Sequence, residues 1–433
     1  MENILAQAKR VAEEAEVFMV SSEETPVQFE ANRLKHIQSK QSTSLTLRIV
    51  RQGRIGYAAT TELNNTQSLI DNAMATAQFG MRAKFELPAK AAYPQIDIFD
   101  PNVESTPIEK MIQLGEELVA LITEHTPDIV CETMVTKEII SLRIINSRGG
   151  EASYRKSIFS LSMWGSLIRG TDMLFVGEMQ SSCHPLTQPK EIAAVVIQHL
   201  ELAKNQASVP SKQLPVIFTP RGVVSAFIPS LMMAFNGKTV LEGASPIGNR
   251  LGEKVFDPKL WLWDDPTIAY RPNSRPCDDE GIPSQRTPLI EQGTVANFLY
   301  DLQTAALAGT KSTGNGNRDG GLPAPSPTTL VIAPGKANFD DMVNDIKEGL
   351  VIEQLMGAEQ GNVLGGDFSG NVLLGYKVEN GKIVGRVKDT MVSGNVYQLL
   401  KEGIAIGSEA KWVWGFLQTP HIYCPSLSVA SKG

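Results

Sequence analysis

The chain has 433 residues, a formal net charge of −7 and 42% hydrophobic residues. This length suits about two or three domains with a substantial core, and the composition is that of a globular protein. The negative charge argues against direct binding of nucleic acid through a basic surface. No apolar run reaches about 18 residues, so no membrane span is expected. The chain has four cysteines that form no CxxC pair: Cys131, Cys183, Cys277 and Cys424. This spacing argues against a disulfide framework or a zinc ribbon, and it favours a reducing compartment, the cytoplasm.

The first half of the chain alternates helical and strand-like patterns. Apolar residues at helical spacing between Met1 and Ala15 predict an amphipathic first helix, and the charges among them argue against a signal peptide. Further helices are expected over 64–81, 108–125 and 190–207. The β-prone runs between them cover 16–20, 26–31, 44–51, 53–58, 130–135, 138–146 and 154–165. This order is typical of an α+β domain with antiparallel strands.

A short polar segment, 208–213, marks the predicted boundary between two domains, 1–207 and 208–433. Beyond it, short β-prone segments and glycine turns dominate. Strands are expected over 214–218, 296–302, 329–333, 372–378, 382–392 and 412–416, and helices over 302–308 and 339–348. This pattern predicts a β-rich second domain, built as a barrel or a twisted antiparallel sheet.

One helix of the second domain is predicted to be buried. It begins with Thr219 as its N-cap and Pro220 at the first helical position, and it extends toward Asn236. The segment is apolar nearly all round, which is typical of a core helix. Pro229 lies inside it and should kink it, because proline removes a backbone donor.

The segment between Arg275 and Asp301 has an unusual pattern, RPCDDEGIPSQRTPLIEQGTVANFLYD. Its first half is an acidic, proline-rich turn, and its second half is a predicted hairpin that turns at 291–293. The succession of DDEG and T-x-LIE-x-G resembles the signature of the TldD/PmbA family, whose members are also called modulators of DNA gyrase. The resemblance extends from about Asn32 to the C-terminus and includes an NS-x-G turn, STGN, PSPT and GDFSG, which is similar to the family's GDFS-x-G. The NS-x-G turn by itself predicts a tight hairpin at 147–150.

The resemblance implies a peptidase system in which a TldD-like subunit carries an H-E-x-x-x-H helix. Two imidazoles on such a helix hold zinc, and the glutamate activates the zinc-bound water. An ungapped alignment from the Thr219 cap places Ile228, Pro229 and Met233 where the two histidines and the glutamate would stand. Histidine is missing between positions 200 and 420, because the five histidines are His36, His125, His184, His199 and His421.

The chain therefore resembles the PmbA/TldE half of the family, with no catalytic residue, no metal site and no cofactor of its own. The implied partners are a TldD-like metal-bearing subunit and a peptide substrate, with a homodimer forming when the chain is alone. Two alternatives remain open. One is an active hydrolase built around the carboxylates of Asp278, Asp279 and Glu280, and the other is a regulator acting on DNA gyrase.

Seven residues are candidates for a substrate groove: Asp278, Asp279, Glu280, Asn315, Asn317, Asp367 and Ser369. The three acidic residues have an alternative interpretation as a structural turn, since aspartate often caps its own backbone. The glycine-rich loop 312–321 precedes a proline run, which argues against a phosphate-binding loop. The second glycine-rich loop, 357–370, is either a series of turns or a groove wall.

His421 and Cys424 have a spacing that suits two ligands of one metal ion. Two ligands do not make a site, and the alternative is a surface loop that leads into the last strand. No G-x-S-x-G elbow occurs in the sequence, so a serine hydrolase is not supported.

Overall fold

The computed structural model describes residues 1–432, and it contains one antiparallel sheet in the first half of the chain. The strand order is β4-β3-β1-β5-β6-β7, with β2 paired to β1. The strands are β1 (Glu14–Glu30), β2 (Arg33–Ile37), β3 (Lys40–Arg51), β4 (Arg54–Thr60), β5 (Val130–Asn146), β6 (Glu151–Arg169) and β7 (Asp172–Ser182). The helices are α1 (Glu2–Ala8), α2 (Thr66–Ala77), α3 (Pro101–Ser105), α4 (Ile108–His125) and α5 (Pro189–Leu202).

A second, twelve-stranded sheet lies in the second half. It contains β8 (Gln206–Ala207), β9 (Gln213–Phe218), β10 (Leu262–Asp264), β11 (Thr287–Glu291), β12 (Thr294–Val295), β15 (Leu330–Ile332), β16 (Glu348–Met356), β17 (Asp367–Glu379), β18 (Lys382–Val387), β19 (Thr390–Asn395), β20 (Ala405–Val413) and β21 (Leu417–Ser431). A separate hairpin is formed by β13 (Gly316–Asn317) and β14 (Ala324–Pro325). The helices are α6 (Pro220–Ala226), α7 (Ile228–Ala234), α8 (Gly237–Leu241), α9 (Leu302–Leu307), α10 (Phe339–Asn344) and α11 (Val396–Leu399), and a 3₁₀ turn covers Ala358–Gln360.

Five strands of the second sheet close into a barrel. The pairs run β9-β16-β17-β19-β21 and back to β9, and only the β9–β16 pair is parallel. Side chains alternate between its two faces, as the strand period requires. Val216 and Phe218 belong to the core inside the barrel, whereas Ile217 belongs to a second core on its outside.

That second core joins the barrel to the first half of the chain. It contains Phe29 and Phe159 of the first sheet, Leu118 of α4, Val196 of α5 and Leu374 of β17. A smaller core holds α1 and α2 against β1, β3 and β4. Apolar surface from both halves of the chain is therefore removed from water in one continuous cluster.

The predicted fold class, an α+β half followed by a β-rich half with a barrel, is confirmed. The predicted capping of the buried helix is also confirmed, because the Thr219 side chain accepts a hydrogen bond from the Gly222 N–H. The helix breaks into α6 and α7 at Phe227, two residues before Pro229. The boundary near residue 208 remains a prediction, since β8 pairs with β18 and one core contains residues from both sides.

Several predicted elements have different bounds in the structure. The first helix ends at Ala8 because β1 already begins at Glu14. The strand expected over 296–302 is wrong, because β12 ends at Val295. The backbone that follows bonds instead to the end of α7, where Leu299 N–H donates to Phe235 O. The helix expected to reach 207 ends at Leu202, and the strand expected over 412–416 stops at Val413.

One long strand, β7, was not expected from the sequence at all, and β21 was expected only as a last strand that follows a surface loop. The hairpin predicted at 291–293 is present, with Gln292 and Gly293 both at positive φ. Among residues 1–432, no helix is long and apolar enough to cross a membrane.

Replacing Phe218 with alanine tests the barrel core. The ring is fully buried, and it lies 4.7 Å from the ring of Phe227 and 6.4 Å from that of Phe368. The cavity left behind should lower the free energy of unfolding by about 3–5 kcal/mol, measured by urea denaturation followed by circular dichroism. Phe79→Ala is the matched control, because its ring is 89% exposed, and it should cost less than about 0.5 kcal/mol. Equal losses for the two variants would contradict this core.

Candidate functional site

The acidic turn at 278–280 is buried, and the carboxylate of Asp278 accepts hydrogen bonds from backbone N–H groups. Its Oδ1 accepts from the N–H groups of Glu280 at 3.0 Å and Ile282 at 2.9 Å, and its Oδ2 accepts from Gly316 N–H at 2.9 Å. A Cβ added at Gly316 would lie 2.6 Å from Glu280 Oε2, so this position requires glycine. These contacts favour the structural interpretation of the acidic turn.

Charged side chains connect this turn to the first sheet. Arg48 of β3 donates to Glu280 at 2.5 Å and to Glu16 of β1 at 3.0 Å. Arg318 pairs with the same Glu16, and its backbone N–H donates to Asp279 at 2.8 Å. We refer to Glu16, Arg48, Asp279, Glu280 and Arg318 as the buried charge network, because each side chain is at most 10% exposed. Mutual pairing offsets the desolvation of these charges.

Burial changes the proton affinity of groups in and around this network. Burial, together with the nearby charge of Glu280, raises the pKa of Asp278 to about 7 and that of Asp301 to about 6. Burial alone would lower the pKa of Arg48, but the charges of Glu16 and Glu280 outweigh it and raise that pKa. Arg48 therefore remains the fixed cation between two carboxylates.

The other predicted groove residues lie in two places. Asn315 is buried next to the acidic turn and donates to Asp264 at 2.7 Å, and Asn317 is half-buried in β13. Asp367 and Ser369 are exposed on β17, where they line a separate cavity of about 500 Å³. The structure thus brings five of the seven residues together around the acidic turn and leaves two on the barrel. A role of any of them in binding substrate stays a prediction.

The region where the family's metal motif would stand carries no metal-binding side chain. Ile228 is buried at the start of α7, Pro229 follows it, and Met233 is 43% exposed. A zinc ion takes imidazole nitrogen, cysteine thiolate or carboxylate ligands, so the residues at these positions do not fit the ion that the motif implies. Within residues 1–432, no group of three or more His, Cys, Asp or Glu side chains is arranged to hold a metal ion.

His421 and Cys424 do not share a site. Both belong to β21, where a spacing of three residues places side chains on opposite faces. Cys424 is fully buried in the barrel core, whereas His421 lines a cavity outside it. The surface loop expected before the last strand is therefore part of that strand.

A larger cavity, of about 880 Å³, lies where β7 and α5 face the start of α6 and strand β20. We call it the central cavity. Its lining contains polar residues that are far apart in sequence and that the sequence did not indicate as a group: His199, Arg221, Arg271, Glu353, Tyr376 and His421. A volume of this size is typical of small-molecule and peptide sites.

The charged groups of the central cavity have defined partners. Glu353 accepts from the Thr219 hydroxyl at 2.9 Å and lies 3.7 Å from His199 Nε2. Burial acts to raise the pKa of Glu353, but contacts with His199 and Thr219 outweigh it, so its pKa lies below its ordinary value. Burial lowers the pKa of His421 to about 4, and this imidazole is therefore neutral at pH 7.

Comparison with known protein families shows which family the chain belongs to. A model of the PmbA/TldA metallopeptidase C-terminal domain matches residues 211–431, just over half of the chain, and a model of domain 1 of the same group matches residues 15–77. The chain belongs to the PmbA/TldD family. Membership relates it to metallopeptidases, and it confirms the family identified from the DDEG and T-x-LIE-x-G motifs.

Individual proteins also match nearly the whole chain. An uncharacterised protein of Methanocaldococcus jannaschii is 27% identical over 94% of this chain and 94% of its own length. The metalloprotease PmbA of Escherichia coli O157:H7 is 24% identical over 96% and 92%. The crystal structure of TldE from Thermococcus kodakarensis covers 100% of both chains with a TM-score of 0.87 at 22% identity. A proposed modulator of a DNA gyrase from Thermotoga maritima covers 99% of both with a TM-score of 0.89, also at 22% identity. The two solved structures show that the PmbA/TldD fold is shared.

Replacing Asp301 with asparagine tests the proton affinity around the acidic turn. Asp301 caps α9 by accepting from Thr304 N–H at 2.7 Å through Oδ1, an atom that asparagine retains. Because its pKa is about 6 when folded, the charged form is disfavoured, and the stability that Asp301 contributes is full below its unfolded pKa and is lost as pH rises through 6.

The asparagine variant lacks this pH-dependent loss of stability, because asparagine does not titrate. Its free energy of unfolding relative to wild type should therefore rise by roughly 2–3 kcal/mol between pH 4 and pH 7, measured by urea denaturation. Any constant cost of the substitution cancels in this double difference. The same difference at both pH values would rule out a raised pKa at this position.

Proposed function

We propose that this chain is the PmbA/TldE-like subunit of a peptide-processing metallopeptidase and that it does not carry the metal itself. The observation that supports this most directly is the identity of the residues where the metal motif would stand, Ile228, Pro229 and Met233. Histidine is missing from the whole span between residues 200 and 420, so a different alignment of the motif does not restore it.

The similarity to proteins named metalloproteases supports retention of the peptidase scaffold. The PmbA of Escherichia coli that bears this name matches 96% of the chain. In our proposal, a TldD-like subunit supplies the metal and this chain shapes the peptide channel beside it. Asp367 and Ser369, which line the cavity on the barrel, are candidates for channel residues. Four free, buried cysteines suit a cytoplasmic location.

The alternative is an active hydrolase at the acidic turn. The raised pKa of Asp278 favours it, because perturbed carboxylates often lie in active sites. One observation argues against this alternative. Backbone N–H groups already donate hydrogen bonds to the oxygens of Asp278, and Arg48 donates to Glu280, which leaves little room for a substrate. Loss of peptidase activity in Glu280→Gln, with unchanged circular dichroism, would favour this alternative.

The subunit role needs a surface for association, and the first sheet offers one. Its outer face exposes large apolar side chains from three neighbouring strands, and they lie on one face because they pair in register. These side chains, each 38–61% exposed, are Val130, Met134, Trp164, Ile168, Met173 and Phe175. An exposed apolar surface of this kind typically marks a protein interface. We propose that a second family chain covers it.

The purified chain should contain far less than one zinc per molecule and should not cleave unstructured peptides alone. The reason is the missing ligand set on α7. Elemental analysis and a fluorogenic peptide assay test this, and a TldD-like subunit assayed with and without this chain provides the control. Stoichiometric, chelator-sensitive zinc with peptidase activity in the chain alone would refute the proposal. If this chain did not increase the peptidase activity of the TldD-like subunit, its proposed role as a partner would be refuted.

In light scattering at micromolar concentration, the chain should have twice its mass of 47.1 kDa. Ile168→Asp should shift the population to monomer, because a charge on the apolar face opposes burial of that face. Leu251→Asp is the matched control, since Leu251 is 58% exposed and Ile168 is 61% exposed, and this variant should remain dimeric. A monomeric wild type, or equal behaviour of the two variants, would contradict the proposed interface.

A further inference from the structure

The central cavity contains buried polar atoms that have no hydrogen-bond partner among residues 1–432. These include Nδ1 of His199, whose residue is 5% exposed, and the hydroxyl of Tyr376, whose residue is 0% exposed. Buried polar groups are nearly always paired, because an unpaired one costs the full free energy of its desolvation. Both residues line the cavity. Neither atom is open to water, so each would reach a ligand only after a small shift of its side chain toward the cavity.

The cavity also contains an arginine that no carboxylate neutralises. The Arg271 guanidinium lies over the ring of Trp412 at 4.3 Å, and its Nε has no partner in the described chain. The other cavity arginine, Arg221, is already used, since it donates to Gln354 at 2.7 Å and to Gly177 O. Arg271 is thus a half-buried cation that is held in place by stacking and retains free donors.

The remaining charges restrict the class of ligand. The lining contains three arginine or lysine residues, Arg221, Arg271 and Lys411, and four acidic residues: Glu178, Asp340, Glu353 and Glu409. A polyanion such as a polyphosphate would be repelled by this surface. A ligand with a single carboxylate would instead meet a guanidinium, whose fork of N–H groups matches a carboxylate in geometry.

We propose that the central cavity binds the carboxyl-terminal end of a short peptide, with Arg271 pairing to the terminal carboxylate and with Tyr376 and His199 hydrogen-bonding to the peptide backbone. The volume of about 880 Å³ suits a peptide of a few residues. The neutral ring of His421 and the ring of Phe339, 4.5 Å apart, offer apolar surface to the side chains of this peptide. The inference rests on the proposed role in peptide processing, and it places one peptide-binding site on this chain itself.

Calorimetric titration of the purified chain tests the class of ligand. The probes are an alanine tripeptide with a free carboxyl terminus and the same tripeptide as its C-terminal amide. The free acid should bind at least about ten-fold more tightly, because only it forms the charge-assisted pair. Inorganic phosphate at the same concentration should not displace it. Binding of phosphate in place of the peptide would overturn the assignment of the ligand.

Variants locate the site. Arg271→Gln should abolish the preference for the free acid, and Arg271→Lys should retain part of it. The matched control is Arg286→Gln, because Arg286 also stacks on a tryptophan, Trp263, at 3.9 Å but does not line the cavity. This control should bind like wild type. Equal binding of the free acid and the amide, or equal effects of Arg271→Gln and Arg286→Gln, would overturn the site.

Tyr376→Phe separates a binding role from a structural one. The hydroxyl has no partner in residues 1–432, so its removal should leave the melting temperature unchanged or higher. Affinity for the tripeptide should nevertheless fall several-fold. Unchanged affinity would exclude Tyr376 from the site. These titrations use the chain alone, so failure to bind peptide while the chain still stimulates a TldD-like subunit would overturn this inference and leave the proposed function intact.

Discussion

The ion pairs of Arg48 with Glu16 and Glu280 fix the acidic turn of the second half of the chain to the first sheet. Arg48 and Glu16 belong to neighbouring strands of the first sheet, and Glu280 belongs to the acidic turn of the second half. All three side chains are at most 3% exposed. Removal of one partner would leave an uncompensated buried charge, which costs about 3–5 kcal/mol, so the network tolerates only concerted change. The acidic turn is thereby fixed at one place on the first sheet.

The hydrogen bonds around the acidic turn give a physical reason for the family's sequence motifs. The DDEG segment supplies Asp278, which accepts from Gly316 N–H, and the STGN segment supplies Asn315, which donates to Asp264. Asp264 also accepts from the N–H and the hydroxyl of Thr328 at the end of the PSPT segment. Three motifs that are separate in sequence therefore meet in one set of hydrogen bonds. They report the architecture of the family, and a shared motif here does not by itself assign catalysis.

Local signals in the sequence predicted local structure well. Helix α4 has the predicted bounds, the Thr219 cap is present, and Pro229 divides its helix as the loss of a backbone donor requires. Long strands were harder to predict, because β1 and β5 were each predicted as two short ones, β7 was not predicted, and the first part of β21 was expected to be a surface loop. The middle residues of β1 and β5 are partly buried on both faces, so the alternation of polar and apolar residues is weak there.

The candidate sites show the same division between local and long-range information. The acidic turn was found because its residues are neighbours in sequence. The central cavity was not, because its polar residues lie on six separate segments: His199, Arg221, Arg271, Glu353, Tyr376 and His421. His199 has a typical core environment on α5, between Val196 and Leu200, and no spacing rule distinguishes it. Only the pairing of strands and the packing of α5 bring these groups to one place.

The core that joins the outside of the barrel to α4 and α5 has a consequence for how the protein can be divided. Ile217, Val351, Leu374 and Tyr376 of the barrel share this core with both helices and with the first sheet. A fragment cut near residue 208 would expose apolar side chains on each piece, because the shared core would be divided between them. The two halves should accordingly lose their structure in one cooperative transition, and a protease that nicks the connecting segment should leave the pieces associated.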